Sequence, residues 1–169
     1  MGSAGIIIAI VVAIGSQAQP VLLKPEWGAV LSEEQAKVFW KPRLCNRPAP
    51  GPIQEIWIPD VATIRRLEAA LGPALQEAID ESNIAPEKPH AGDFYRQYAG
   101  FVVGGKRIVY INGLHTTTIN QEEARSLRWQ RQAISPCDGG MMFFGAEYVV
   151  ETGTVRNIVF NGGGRGQTR

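Results

Sequence analysis

The sequence has few cysteines, few histidines and almost no net charge. Two residues of each type occur among 169, and 17 basic residues are balanced by 16 acidic ones. Proteins that bind nucleic acid usually carry a basic excess that neutralises phosphates, and this chain has none. No tight pair of Cys or His residues typical of a zinc site is present. We therefore expect no nucleic-acid partner, no metal centre and no cofactor.

Long hydrophobic runs are confined to the N-terminus. Residues 5–15 carry no charge and consist largely of Ile and Val, and Ser16-Gln17-Ala18 follows as a small-x-small pattern. This arrangement predicts a signal peptide over residues 1–18, and hence a periplasmic or secreted protein. The run is shorter than the ~20 residues that cross a bilayer, so no stable membrane anchor is expected. An uncleaved anchor is the alternative.

The two cysteines are Cys45 and Cys137. An even number of cysteines in an exported protein predicts a disulfide bond, and two buried thiols are the alternative. A bond that closes so long a loop stabilises by up to ~4–5 kcal/mol in the chain-entropy model.

Residues 19–52 form a predicted N-terminal extension. Ser32 and Gln35 fit a capping box, which predicts a short helix from about Glu33 to Trp40. The helix should end before Pro42, where a proline-rich, irregular segment begins.

Residues 53–162 are the predicted main domain. A strand candidate at Gln54–Ile58 precedes a helix whose apolar stripe runs from Val61 to Ile79. Gly72-Pro73 should kink this helix or restart it.

The second half of this domain is rich in strand patterns. Gly104-Gly105 predicts a hairpin turn between the first two. The predicted strands are Tyr95–Val103, Lys106–Asn112, Trp129–Ile134, Met141–Val150 and Thr154–Asn161. Consecutive hairpins and one amphipathic helix predict an α+β fold, in which one main helix covers an antiparallel sheet of four to five strands. Residues 163–169 should form a flexible tail.

Several segments taken together resemble small exported proteins of Gram-negative bacteria that have no known activity. These segments are Trp57-Ile58-Pro59, the helix around Leu67-Glu68, Tyr95–Gly100, Cys137–Gly140, Phe144–Tyr148 and Phe160–Gly162. The resemblance covers roughly residues 53–162. It implies export and a shared fold, and it implies no activity.

One stretch is close to a phosphate-binding loop. Gly100 to Arg107 fits Gly-x-x-x-x-Gly-Lys-Ser/Thr except at its last position, where the motif needs a hydroxyl group for Mg²⁺. A phosphate-binding loop must open a helix, yet the strand pattern Ile108–Ile111 follows. The hairpin interpretation is therefore preferred.

A possible binding surface comprises Asp138, Phe143, Tyr98 and Tyr110. One helix covers one face of a sheet, so aromatic side chains on the other face could bind a protein. Alternatively, the extension packs over that face through Trp27, Phe39 and Trp40. The turn Asp138-Gly139-Gly140 could also present a binding loop, because loops on a rigid scaffold often carry function. Plain turn chemistry is the simpler interpretation.

No catalytic residue is assigned. The leading hypothesis is a non-enzymatic binding or inhibitor-type module, whose partner is another envelope protein or a wall-derived ligand. The alternative is a small periplasmic hydrolase that uses Cys137 or His115 with Glu147 or Asp138. A structural protein held by an uncleaved N-terminal segment is the third hypothesis.

Overall fold

The computed structural model describes residues 24–40, 43–44, 47–48, 50–83, 87–119, 122, 126 and 128–162. The predicted signal peptide, Cys45 and the predicted tail lie outside these residues. The chain adopts the predicted α+β fold, in which a mixed sheet of six strands packs against one main helix.

The elements of the described residues follow one another in this order. The strands are β1 (Gly28–Val30), β2 (Arg43–Leu44), β3 (Arg47–Pro48), β4 (Ile53–Trp57), β5 (Phe94–Val103), β6 (Lys106–His115), β7 (Phe143–Val149) and β8 (Thr154–Phe160). The helices are α1 (Glu33–Ala36), α2 (Val61–Glu81) and α3 (Arg128–Arg131). Short 3₁₀ turns occupy Pro25–Trp27, Lys37–Trp40, Ala91–Asp93, Thr116–Thr118 and Gly140–Met142.

The main helix, α2, begins at a side-chain cap. The Asp60 carboxylate accepts a hydrogen bond of 2.7 Å from the Thr63 backbone N–H, and this bond lowers the pKa of Asp60. The predicted apolar stripe is confirmed for its last four members, which are buried against the sheet: Leu67, Leu71, Leu75 and Ile79. Its first member, Val61, is exposed. The helix does not restart at Pro73. Burial of the apolar stripe on both sides of Pro73 stabilises the helix by more than the loss of one backbone hydrogen-bond donor destabilises it.

β5 lies at the centre of the sheet and has three neighbours. It pairs along its whole length with β6, and β7 and β8 follow as further antiparallel strands. The other edge of β5 is shared by two strands. β1 pairs in parallel with Arg96–Tyr98, whereas β4 pairs in antiparallel with Gly100–Val103. The N-terminal extension thus adds a parallel strand to a sheet predicted to be antiparallel throughout.

The turn between β5 and β6 is the predicted Gly104-Gly105 hairpin. Both glycines have positive φ angles, of 57° and 73°, which residues with a Cβ rarely adopt. Lys106 begins β6, so this segment opens a strand and not a phosphate-binding helix N-terminus.

The predicted strand Trp129–Ile134 is wrong, because this segment begins with the helix α3. Trp129 is the buried residue of this segment, and its ring packs on Tyr95 with centroids 4.6 Å apart. One turn of helix provides that contact without a free sheet edge.

The two faces of the sheet are covered by different parts of the chain. α2 covers the face that carries Phe144, Ala146 and Tyr148. The N-terminal extension covers the other face, which we call the second face. Phe39 is fully buried there, with its ring centroid 5.2 Å from that of Tyr110. The second face is therefore part of the protein core.

Candidate functional site

The most distinctive exposed feature is the loop of residues 136–140, which leads into β7. Cys137, Asp138 and Gly139 are exposed. Gly139 and Gly140 have φ angles of 97° and 57°, so both adopt left-handed backbone conformations. A Cβ on Gly139 would also lie 2.5 Å from the Phe143 ring. The sequence Asp-Gly-Gly therefore fixes one turn shape, as expected from turn chemistry.

Among the described residues, the buried side chain of Asn161 holds this loop from below. Its Nδ2 donates hydrogen bonds to the carbonyl oxygens of Pro136 and Asp138, at 2.9 and 3.1 Å. Its Oδ1 accepts a bond of 2.5 Å from Arg47 Nε. Asn161 is 0% exposed, so solvent does not compete for these bonds. The backbone of the loop is thereby clamped at two carbonyl groups on either side of Cys137.

Asn161 is one end of a buried polar chain on the second face, here called the polar spine: Gln97, Asn112, Arg47 and Asn161. Arg47 Nη1 donates to Asn112 Oδ1 at 2.6 Å, and Asn112 Nδ2 donates to Gln97 Oε1 at 2.8 Å. Gln97 in turn donates to the backbone carbonyls of Trp129 and Gln132. The spine therefore ties the segment from α3 to the 136–140 loop onto strands β5 and β6.

The polar spine was not predicted from the sequence. Its one visible signal was a pair of amides, Gln97 and Asn112, in otherwise apolar strands. They turn out to be register partners across β5 and β6. Polar residues at inward strand positions predict buried hydrogen-bond partners, but they do not reveal which distant segment supplies them.

Next to the spine lies a crevice lined by Arg47, Tyr110, Gly145, Glu147 and Asn157, which is too narrow to admit a water molecule. Arg47 and Tyr110 are 5% and 2% exposed. Arg47 lies beside the Tyr110 hydroxyl, and its charge and hydrogen bond oppose the effect of burial on the pKa of Tyr110. Burial raises the pKa of Tyr110, so its phenol remains protonated at neutral pH.

The four residues of the predicted binding surface do not share one surface. Asp138 is exposed and Phe143 is half-buried beside the same loop. Tyr98 is fully buried beneath α2, where its hydroxyl donates to Glu68 Oε1 at 2.8 Å. Tyr110 is buried beneath Phe39. Of the four, Asp138 and Phe143 are thus the ones that a partner can approach.

The residues of the hydrolase alternative are held by other contacts. His115 Nδ1 lies 2.8 Å from the Thr117 hydroxyl, and partial burial lowers the pKa of His115. Glu147 pairs with Arg156 at 2.9 Å. Among the described residues, no hydrogen bond joins His115 or Glu147 to Asp138. The same residues contain no group of three His, Cys, Asp or Glu side chains able to hold a metal ion.

The predicted disulfide between Cys45 and Cys137 stays a prediction, because Cys45 lies outside the described residues. Nevertheless, one residue near Cys45 and the loop around Cys137 are linked through Asn161. Arg47, two positions after Cys45, bonds Asn161, and Asn161 bonds the carbonyl groups that flank Cys137.

None of the helices in the described ranges is long and apolar enough to cross a membrane. The resemblance to exported Gram-negative proteins also remains a prediction. Comparisons with protein-family models, curated proteins and solved structures found no match to this chain.

Proposed function

We propose that this chain is an exported, non-enzymatic binding module of the inhibitor type, which presents the 136–140 loop to a protein of the cell envelope. One observation carries the proposal. The loop exposes three consecutive residues, yet its backbone is clamped from below by Asn161, which is 0% exposed.

The clamp gives the loop the property that a recognition loop needs. Ordering flexible groups on binding costs free energy. A loop that is already held in its bound shape therefore binds more tightly without any further contact. Recognition loops are accordingly found on rigid scaffolds. Here the scaffold is the sheet itself, because Arg47 links Asn161 to Asn112 in the middle of β6.

The proposed location rests on the N-terminal sequence. The uncharged run at residues 5–15 and the small-x-small pattern that ends at Ala18 support export to the periplasm or beyond. In an oxidising compartment a Cys45–Cys137 bond would fasten the same loop a second time. A wall-derived ligand is the other class of partner that this location allows.

Site-specific photocrosslinking tests the proposal. A photoreactive residue at position 138 of the full chain, expressed in its bacterial host, should capture a specific envelope protein. The matched control is position 152, which is also exposed but lies in the turn at the opposite end of β7. Asn161→Ala should sharply reduce capture at position 138, because it releases the loop backbone. Equal capture at both positions, or capture that Asn161→Ala leaves unchanged, would contradict the proposal.

Export is tested separately. The protein from the periplasmic fraction should begin at Gln19, and a thiol reagent should label neither cysteine before reduction. A full-length, fully reduced chain in the cytosol would refute export. A reactive Cys137 in the unreduced protein would favour the hydrolase alternative.

A further inference from the structure

Most of the exposed apolar side chains of the described residues lie at one edge of the sheet. Four large apolar residues are exposed in this part of the chain, and three of them are Val30, Ile58 and Val61, at 37%, 52% and 68% exposure. Val30 ends β1 opposite Tyr98, and β4 ends one residue before Ile58, opposite Gly100. The two strands therefore end next to each other along β5, and Val30 and Ile58 lie at the same level of this edge.

The first turns of α2 run along the same edge. Glu68 marks the side of α2 that faces β1, because a Cβ on Gly28 would lie 2.9 Å from Glu68 Oε1. Residues seven and three positions earlier in a helix lie on that same side, so Val61 and Arg65 also face this edge. Val61 thus joins the two exposed residues at the strand ends, and the three form what we call the edge patch.

The opposite edge of the sheet is protected against association. β8 exposes Thr154, Arg156 and Asn157, and a bulge shifts its register with β7. Asn157 lies in this bulge with a φ of 53°. Charged side chains and bulges on an edge strand prevent pairing with other chains. The strand ends at the edge patch expose apolar side chains instead, and exposed apolar patches mark association surfaces.

The two flanks of the edge patch carry opposite charges. α2 lies over one face of the sheet, and its second turn presents Arg65 and Arg66, which are both exposed. α1 lies over the second face, and its first turn presents Glu33 and Glu34, which are exposed as well. One flank is therefore basic and the other acidic.

Single charges of the opposite sign on each flank do not reverse this contrast. Asp60 lies on the basic flank, where its carboxylate caps α2 and where Arg66 and Arg107 are both close enough to interact with it. Lys37 lies on the acidic flank, one turn after the two glutamates.

A patch with opposite charges on its two flanks is complementary to a second copy of itself. In a symmetric dimer the same surface of each copy meets across a two-fold axis. An axis perpendicular to the sheet would place like flanks together, with arginine beside arginine. An axis parallel to β1 and β4 exchanges the two faces and keeps the level along the edge. Arg65 of one copy then lies beside the acidic first turn of α1 in the other.

We propose that the edge patch is a self-association surface, through which two copies of this chain form a symmetric dimer about an axis parallel to β1 and β4. Contact between the apolar side chains removes them from water, and the opposite flanks set the relative orientation of the copies. The inference is independent of the proposed function of the 136–140 loop, which lies beside β7 and β8.

Sedimentation equilibrium of the purified protein should show a monomer–dimer equilibrium. The patch is small, so we expect a dissociation constant on the order of 10–100 μM. Ile58→Lys places a charge in the exposed apolar contact and should weaken the dimer at least about tenfold without unfolding the chain. Trp40→Lys is the matched control. Trp40 is 42% exposed but adjoins the contact of Phe39 with Tyr110 on β6, away from this edge, so this variant should dimerise as the wild type does.

A charge exchange identifies the occupant as a second copy. The double variants Glu33→Arg/Glu34→Arg and Arg65→Glu/Arg66→Glu each make both flanks of one copy alike, so each alone should dimerise at least about tenfold more weakly. An equimolar mixture should form a heterodimer, because every contact between flanks is then attractive. Any one of three results would overturn the inference: a wild type that stays monomeric up to about 1 mM, a dimer unaffected by Ile58→Lys, or a mixture that associates no better than its components.

Discussion

Replacement of Asn161 by alanine is the most informative perturbation of this protein. The side chain makes three described hydrogen bonds, two to backbone carbonyls and one from the Arg47 guanidinium. A neutral hydrogen bond contributes about 1 kcal/mol and one that involves a charged group about 1.5–3 kcal/mol. Asn161→Ala should therefore lower the free energy of unfolding by about 3–5 kcal/mol, since the partners that it leaves are buried.

Urea denaturation measures this loss, and hydrogen exchange locates it. We expect faster exchange in residues 136–140, with the amides of α2 affected only through global stability. Asn83→Ala is the matched control, because Asn83 is exposed and should cost less than about 0.5 kcal/mol.

A small loss of stability in Asn161→Ala would refute the role assigned to Asn161. If Asn161→Ala changed the free energy of unfolding by less than about 1 kcal/mol and left exchange in the loop unaltered, Asn161 would not be a clamp. The binding proposal would then lose its physical basis.

Three further predictions concern other parts of the molecule. Glu68→Gln should destabilise by about 3 kcal/mol in a urea titration, because it breaks a buried ion pair of 3.0 Å, whereas Glu151→Gln at an exposed pair should cost less than about 1 kcal/mol. Asn157→Val should cost about 1–2 kcal/mol at its φ of 53°, and Asn157→Gly should be nearly neutral in the same assay. Burial lowers the pKa of His115 below its ordinary 6.5, so the fold favours the neutral imidazole. Its contribution to stability is complete above pH 6.5 and is lost as the pH falls through the lower folded-state pKa, and His115→Gln should flatten that part of the pH profile.

The parts of the fold that the sequence predicts are those specified by local pattern. The apolar stripe of α2, its cap at Asp60 and the Gly104-Gly105 hairpin all depend on residues close in sequence. Such patterns depend on the spacing of apolar residues within one helix or strand, or on the residue types in one turn. The α+β class follows from their order along the chain.

What could not be predicted depends on contacts between distant segments. β1 is three residues long, and nothing in Gly28–Val30 indicates that it pairs in parallel with β5. α3 was mistaken for a strand because short segments take their conformation from tertiary packing, here that of Trp129.

The candidate site, likewise, could be predicted from the sequence only in part. Asp138 and the glycines after it were recognisable as a turn, but the clamp beneath them was not. Arg47 lies in the N-terminal extension and Asn161 at the far end of the last strand. A polar residue in a sequence is normally taken as solvent-facing, and burial reverses that interpretation only once the fold is known.

The parallel pairing of β1 with β5 has a consequence for the order in which the chain folds. β1 is synthesised long before its partner, so it stays unpaired until β5 has been made. Contacts of such high sequence separation form late because the intervening chain must be closed first. We therefore expect the helix-covered half of the molecule to assemble first, and the N-terminal extension to dock onto it afterwards.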